Sequence, residues 1–311
     1  MSIPKINEAL PLPQAPRPGK ATVSIFWDNS MQSLLYGLIA ALTWGLHDFC
    51  VRHLSQKLAV APMLMAVLAM GSVALITLIT LIGGWAHIGT SSAGFALASG
   101  ACYAMCCYGL FSAFAIGPVR LVAPIGGAYP VLSVALAAIA GQPVRWDQWI
   151  ATFAVVAGIA IVARQPGQGA ASDNRTKAMA WAALGATGFA LTFAFGQSAA
   201  KDGSELPVIL LARLAALLIV AVWVFAQHMP LAPLRRHVPL LAFMGVLDVT
   251  ALGMVIAAGG IANPEFASVA SSTFGLITIL LAWRFLAEPM RALQWGGVAL
   301  VFAGIAWLAA S

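Results

Sequence analysis

Apolar runs of about the length that crosses a bilayer as a helix recur ten times along this chain and leave little room between them. They fall at about residues 31–52, 60–83, 91–115, 120–141, 147–163, 177–199, 206–227, 238–260, 265–286 and 291–309. Ten spans of about 20 residues leave roughly nine residues for each connection, so no soluble catalytic or nucleotide-binding domain fits between them. Any function must be carried by the helices themselves. Composition agrees: 61% of the residues are hydrophobic and 8% are charged, against about 25% charged in a typical soluble domain. Breakers such as Gly83-Gly84, Gly117-Pro118, Asn263-Pro264 and Glu288-Pro289 separate most runs.

Ahead of the first run, Pro4, Pro11, Pro13, Pro16 and Pro18 lie among polar neighbours, and residues 1–30 read as an extended tail without the pattern of a secretory signal. The sixteen Lys and Arg against ten Asp and Glu give a net charge of +6, but the basic residues are scattered singly or in pairs. No basic stripe with interleaved aromatics suits a nucleic acid, so the excess is read as facing lipid headgroups. Cys50, Cys102, Cys106 and Cys107 all lie in apolar runs and are expected as free thiols, with no disulfide or metal site.

An internal repeat says more than any single motif. Pro143 to Ala163 aligns on Pro289 to Ala309 without a gap, with ten identities in twenty-one positions. Ala, Gly and Val recur by chance in membrane helices; the shared Pro, Arg, Gln and Trp at one spacing do not. At nearly the same offset Trp44 falls on Phe189 and Arg52 on Gln197. The unit is five spans, giving a first half at 31–163, a linker at 164–176 and a second half at 177–311. A unit that crosses an odd number of times leaves its successor starting on the opposite face, so the halves are inverted. Inverted repeats suit a carrier with a midplane site exposed alternately to either side. A scaffold or a channel does not need them, and no charged pore ring is present.

Ala41-Leu-Thr-Trp-Gly45, Ala115-Ile-Gly-Pro-Val119, Ala123-Pro124 and Tyr129-Pro-Val131 stand in the first half. Gly141-Gln-Pro143 and Ala287-Glu-Pro289 are each followed by Gln-Trp and then Ala-Gly-Ile. With these motifs the chain, over residues 33–309, resembles the EamA-type family of the drug/metabolite transporter superfamily. The resemblance implies an all-α integral membrane protein of ten helices, in two inverted five-helix repeats around a central cavity. It also implies export of amino acids or related metabolites across the plasma membrane, with uptake of a vitamin or nucleotide-like compound as the alternative. Gln142, Ala267 and Asn263-Pro264-Glu265 depart from the family pattern, and no individual substrate is carried over.

Ionisable groups deep in a membrane are functional candidates by default. Asp248 lies near the middle of its run. It is read either as receiving a substrate ammonium or exchanging a proton to couple transport, or as a structural residue bonding Thr250. Trp44, Asp48 and Arg52 share one face of the first span, with His47 at its border. They are read either as a substrate-facing strip with Trp44 as an aromatic floor and Asp48 held by Arg52, or as a helix end at which Asp48 and Arg52 neutralise each other and reach headgroups. The second is favoured for Arg52, and Trp44 and Asp48 are kept as substrate-facing. Tyr103, Tyr108 and Tyr129 place hydroxyls at depth, the last beside Gly126-Gly127 and Pro124 and Pro130, which loosen the helix. In the opposing half Ser268 shares a face with Ser271 and with Ser272, and Thr273 follows. Small hydroxylated residues are also the ordinary packing surface of membrane helices, and position opposite Tyr129 favours Ser271, Ser272 and Thr273 for binding. Arg213 is expected to snorkel toward the interface, and Glu265, Arg284, Glu288 and Arg291 to serve loops.

The binding set is therefore Trp44, Asp48, Tyr103, Tyr129, Asp248, Ser271, Ser272 and Thr273, with a small molecule and the bilayer as partners. No catalytic residue, metal or cofactor is expected. Neither His-Glu-x-x-His, Gly-x-Ser-x-Gly nor a phosphate-binding Gly-x4-Gly-Lys loop occurs, and the adjacent His47 and Asp48 point to different faces, which argues against an intramembrane enzyme and against direct use of ATP. Lys and Arg counts over short loops put both termini outside the cytoplasm, whereas the resemblance puts them inside.

Overall fold

The computed structural model describes residues 21–139, 145–164, 172–201, 205–261, 267 and 270–310. Gln142, Asn263, Pro264, Glu265 and Ser268 lie outside the described residues. Helices α1 (Ala21–Leu54), α2 (Val60–Ile82), α3 (Thr90–Ile116), α4 (Val119–Gly127), α5 (Tyr129–Ile139) and α6 (Trp146–Arg164) form the first half. Helices α7 (Ser172–Ala200), α8 (Glu205–Ala226), α9 (Val238–Ala257), α10 (Phe274–Phe285) and α11 (Ala292–Ala310) form the second. Helix α1 begins inside the stretch expected to be an extended tail. The last proline of that stretch is Pro18, and nothing in residues 21–30 interrupts a helix.

Each apolar run is largely helical where it is described, but among the described residues only six helices are long and apolar enough to cross a membrane. The runs at Val119–Leu132, Trp146–Val162, Phe274–Phe285 and Ala292–Trp307 give shorter apolar helices. Two of these are short because the helix is interrupted, and the interruptions match. Ala128 N–H donates to Ile125 O at 3.2 Å and Val131 N–H to Ala128 O at 3.0 Å. In the second half Thr273 N–H donates to Ala270 O at 3.2 Å and Leu276 N–H to Thr273 O at 3.0 Å. Both interruptions thus use the tighter i to i−3 bond at equivalent places, and Pro130 removes a further donor in the first.

The repeated segments α6 and α11 pack on each other. A Cβ on Gly158 would lie 2.6 Å from Gly297 O and 2.7 Å from Val301 Cγ2; one on Gly304 would lie 2.9 Å from Ala151 O and 2.8 Å from Val155 Cγ2. Partner numbers fall as residue numbers rise, so the two helices are antiparallel. Under the alignment of Pro143 on Pro289, the two glycine contacts are the same contact seen from either side. A two-fold axis perpendicular to the helices relates them, as an inverted repeat requires. The Arg-x-x-Gln spacing shared by both copies closes the helix start: Gln148 Oε1 accepts Arg145 N–H at 3.1 Å and Gln294 Oε1 accepts Arg291 N–H at 3.0 Å.

The symmetry extends to the centre. Helix α3 packs on α8, and α9 packs on α2. A Cβ on Gly100 would collide with Ala212 O and lie 2.8 Å from Ala215 Cβ; one on Gly245 would lie 2.8 Å from Val67 O and 3.0 Å from Met70 Cβ. These contacts coincide at an offset of 145 positions, the separation of Tyr103 and Asp248. Small residues here let backbones touch, as membrane helices do where no hydrophobic drive exists between them.

Candidate functional site

Tyr103 on α3 and Asp248 on α9 occupy equivalent positions in the two halves, and the tyrosine hydroxyl donates to Asp248 Oδ1 across the pseudo-two-fold seam. Trp44 Nε1–H of α1 donates to the same oxygen at 3.3 Å. The other oxygen, Oδ2, accepts Arg213 Nη1–H of α8 at 2.5 Å. All four side chains are buried, Arg213 completely.

Arg213 therefore does not snorkel. Its Nε and Nη2 donate to Leu68 O at 3.3 Å and Val67 O at 3.1 Å, so the guanidinium is satisfied on three sides by one carboxylate and two α2 carbonyls. Gly71 makes this possible, because a Cβ there would strike Arg213 Nη2. An isolated charge would be expelled from such an interior; a paired and hydrogen-bonded one is retained. Asp248 bonds this set rather than Thr250.

An aromatic cage adjoins the charges. Trp44 meets Phe189 edge-on at 5.1 Å, with Phe193 at 5.9 Å and Phe274 at 6.2 Å. Tyr129 packs on Phe189 at 5.4 Å and Phe193 at 5.1 Å, and its hydroxyl shares a 2.7 Å hydrogen bond with Ser271 Oγ. Trp44 and Phe189 are repeat equivalents, as are Tyr129 and Phe274, so two symmetric pairs build most of the cage. The space expected to be a central cavity is filled in this conformation, with Trp44, Tyr103, Tyr129, Arg213 and Asp248 each at most 2% exposed.

The remaining predicted residues divide. Ser272 is buried, and Gly127 backs onto its carbonyl. Thr273 Oγ1 donates to Ala270 O at 2.7 Å, within its own turn. Asp48 is buried beside His47, with Nδ1 to Oδ1 at 3.0 Å, so adjacency on the helix did not keep the two side chains apart. Arg52 does not neutralise Asp48. Its Nε donates to Glu288 Oε1 at 3.1 Å and its Nη1 to Phe114 O at 2.6 Å.

Glu288, expected in a loop role alone, also accepts Val119 N–H on Oε2 at 2.9 Å, and Arg120 Nη1 donates to Pro289 O at 2.8 Å. The loop before α11 is thus tied to the ends of α1 and α3 and the start of α4. The repeat equivalents of Arg52 and Glu288 are Gln197 and Gln142, so the opposite end lacks this ion pair. Glu288→Ala removes two charge-assisted bonds at a partly buried site and is expected to cost about 2–3 kcal/mol. Thermal unfolding in detergent measures it, and Glu288→Gln, which keeps one acceptor, falls between.

Arg213, His47, Phe193 and Phe274 are the site residues that sequence reasoning missed. Asp248 was a signal for the first, since a carboxylate so deep in a membrane needs a cation.

The EamA-like transporter family model matches residues 31–164 and again 176–310. The chain belongs to the EamA-like transporter family. One solved crystal structure superposes with a TM-score of 0.65 over 88% of this chain and 95% of its own, at 16% identity, and shares the fold. No curated protein matches the chain by sequence. Family membership and the apolar helices make this EamA-like transporter a multi-pass membrane protein for small-molecule cargo rather than an enzyme.

Proposed function

We propose that this protein is a secondary carrier that exports amino acids or related amphipathic metabolites across the plasma membrane by alternating access. The observation that carries the reading is the Arg213–Asp248 pair, set beside an aromatic cage at the seam between two inverted halves. A buried carboxylate and guanidinium bonded to each other offer the two charges that a zwitterion needs. A cargo ammonium takes Asp248 against the face of Trp44, a cargo carboxylate takes Arg213 as a fork, and the apolar remainder lies among Phe189, Phe193 and Tyr129. The pair bonds itself when the site is empty and opens when cargo replaces each partner. This keeps the desolvation penalty of bare charges out of the empty carrier. The α3–α8 and α2–α9 seams, being equivalent, provide two arrangements of similar stability in which the site faces one side or the other.

The test loads everted membrane vesicles with a panel of amino acids and amphipathic metabolites and follows movement by mass. Asp248→Asn is expected to lower transport roughly a hundredfold and Trp44→Ala roughly tenfold, from about 3 and 1–2 kcal/mol of lost cargo contact. Wild-type vesicles that move nothing beyond control vesicles, or an Asp248→Asn protein as active as wild type, would overturn the reading.

A further inference from the structure

Resting on the carrier reading above, the geometry points to the His47–Asp48 pair, and not Asp248, as the site where a driving proton binds. Asp248 already accepts hydrogen bonds from Trp44, Tyr103 and Arg213. A proton on it would displace one of these and strand the Arg213 cation in an apolar interior. Asp48 is placed differently. Among the described residues its one hydrogen-bond partner is His47, and the two side chains are only 3% and 6% exposed. The far nitrogen of the ring, His47 Nε2, is buried with no hydrogen-bond partner among the described residues.

A buried polar atom without a partner is costly and uncommon in a native interior, and it marks a place where something else binds. Imidazole is also the side chain whose charge changes nearest to neutral pH. With Nδ1–H donated to Asp48, Nε2 is the free lone pair, and a proton arriving there turns the pair into an imidazolium and a carboxylate.

The groups facing this pair set what the proton does. Helix α9 brings Asp248, whose charge acts on both Asp48 and His47, and α8 brings Arg213 onto Asp248. Helix α3 brings the Cys106 thiol, and α1 itself that of Cys50. Helix α10 presents Thr278, which donates to Gly45 O at 3.2 Å. With a neutral ring, Asp48, Asp248 and Arg213 together carry one uncompensated negative charge; with a protonated ring the set is neutral. A zwitterionic cargo leaves that sum unchanged, but its ammonium on Asp248 sets a second positive charge beside the imidazolium. The two repel, so each disfavours the other in the site, which is the condition for exchanging one cargo molecule against one proton.

Two measurements on the full-length protein test this. In lipid nanodiscs with 15N-labelled histidine, the ring signals assigned by their loss in His47→Gln are expected to change from the neutral to the doubly protonated pattern as the pH is lowered, and in Asp48→Asn to lose that change. A wild-type His47 signal that keeps the neutral pattern as the pH is lowered overturns the proposal. In proteoliposomes loaded with a mixture of the common amino acids, a pH difference is expected to drive net movement by the wild type. In His47→Gln and in Asp48→Asn, movement is expected no longer to respond to that difference; a response that survives in both variants overturns the proposal. If wild type moves no amino acid while the His47 signal titrates, the cargo reading fails and the proton site stands.

Discussion

Arg213→Met is expected to destabilise the protein by about 3–5 kcal/mol, the range for removing one partner of a buried ion pair and leaving the other unpaired. Asp248 would keep the Tyr103 and Trp44 hydrogen bonds but lose its counter-charge, and the carbonyls of Val67 and Leu68 would lose their donors. Asp248→Asn fails for the complementary reason, since it leaves a guanidinium without a carboxylate in a fully buried slot. The double variant Arg213→Met, Asp248→Asn contains no uncompensated charge, and the amide oxygen still accepts from Tyr103. Its loss is expected to be well below the sum of the single losses, with a coupling of up to about 3 kcal/mol. Unfolding midpoints of the four proteins in one detergent measure the cycle. Additive losses would show that the two charges act separately. A double variant that recovers stability without recovering transport would mean the charges are kept for cargo rather than for the fold.

Much of this centre is legible in the sequence one residue at a time, and little of it as a set. Trp44, Tyr103, Tyr129 and Asp248 stand out because each is polar at a depth where polarity is expensive. The offset of 145 that sets Trp44 on Phe189 also sets Tyr103 on Asp248, but a tyrosine on an aspartate leaves no identity to draw attention to the pair. Arg213 was misread because helix position alone cannot distinguish a cation that reaches an interface from one whose neighbour is a glycine. Gly71, far away in sequence, decides it. The Asp48 and Arg52 spacing of one helical turn is a sound local rule. It lost to a tertiary offer, since Glu288 and Phe114 O together bond Arg52 better than one neighbouring carboxylate would. An inverted relation is what a repeat of an odd number of spans implies, and the antiparallel contact of Gly158 and Gly304 with each other's helices agrees with it. The filled centre was not readable, because a resemblance conveys an architecture and not which state the two halves adopt.

The same symmetry yields the second large effect. Gly100→Val and Gly245→Val each push a branched side chain against a neighbouring backbone carbonyl, Ala212 O in one case and Val67 O in the other. Backbone cannot rotate away as a side chain can, so each is expected to cost about 3 kcal/mol, the upper end for overpacking. Gly94→Ala is the control, in a helix interior with no atom within 4 Å of the new Cβ, and is expected to be neutral or to stabilise by up to about 1 kcal/mol. Thermal unfolding of the three proteins checks this, and a valine tolerated at either seam would show that the helices there are not in backbone contact. The two seams are equivalent but inverted, so equal losses of stability carry opposite consequences for access. Wedging α3 from α8 loosens one side of the midplane, and wedging α9 from α2 loosens the other. Under the proposed alternating access, the milder Gly100→Ala and Gly245→Ala are expected to raise labelling by a membrane-impermeant thiol reagent at single cysteines introduced at Trp44, from opposite faces of the membrane. Labelling from the same face in both would mean that the two seams are not the two gates.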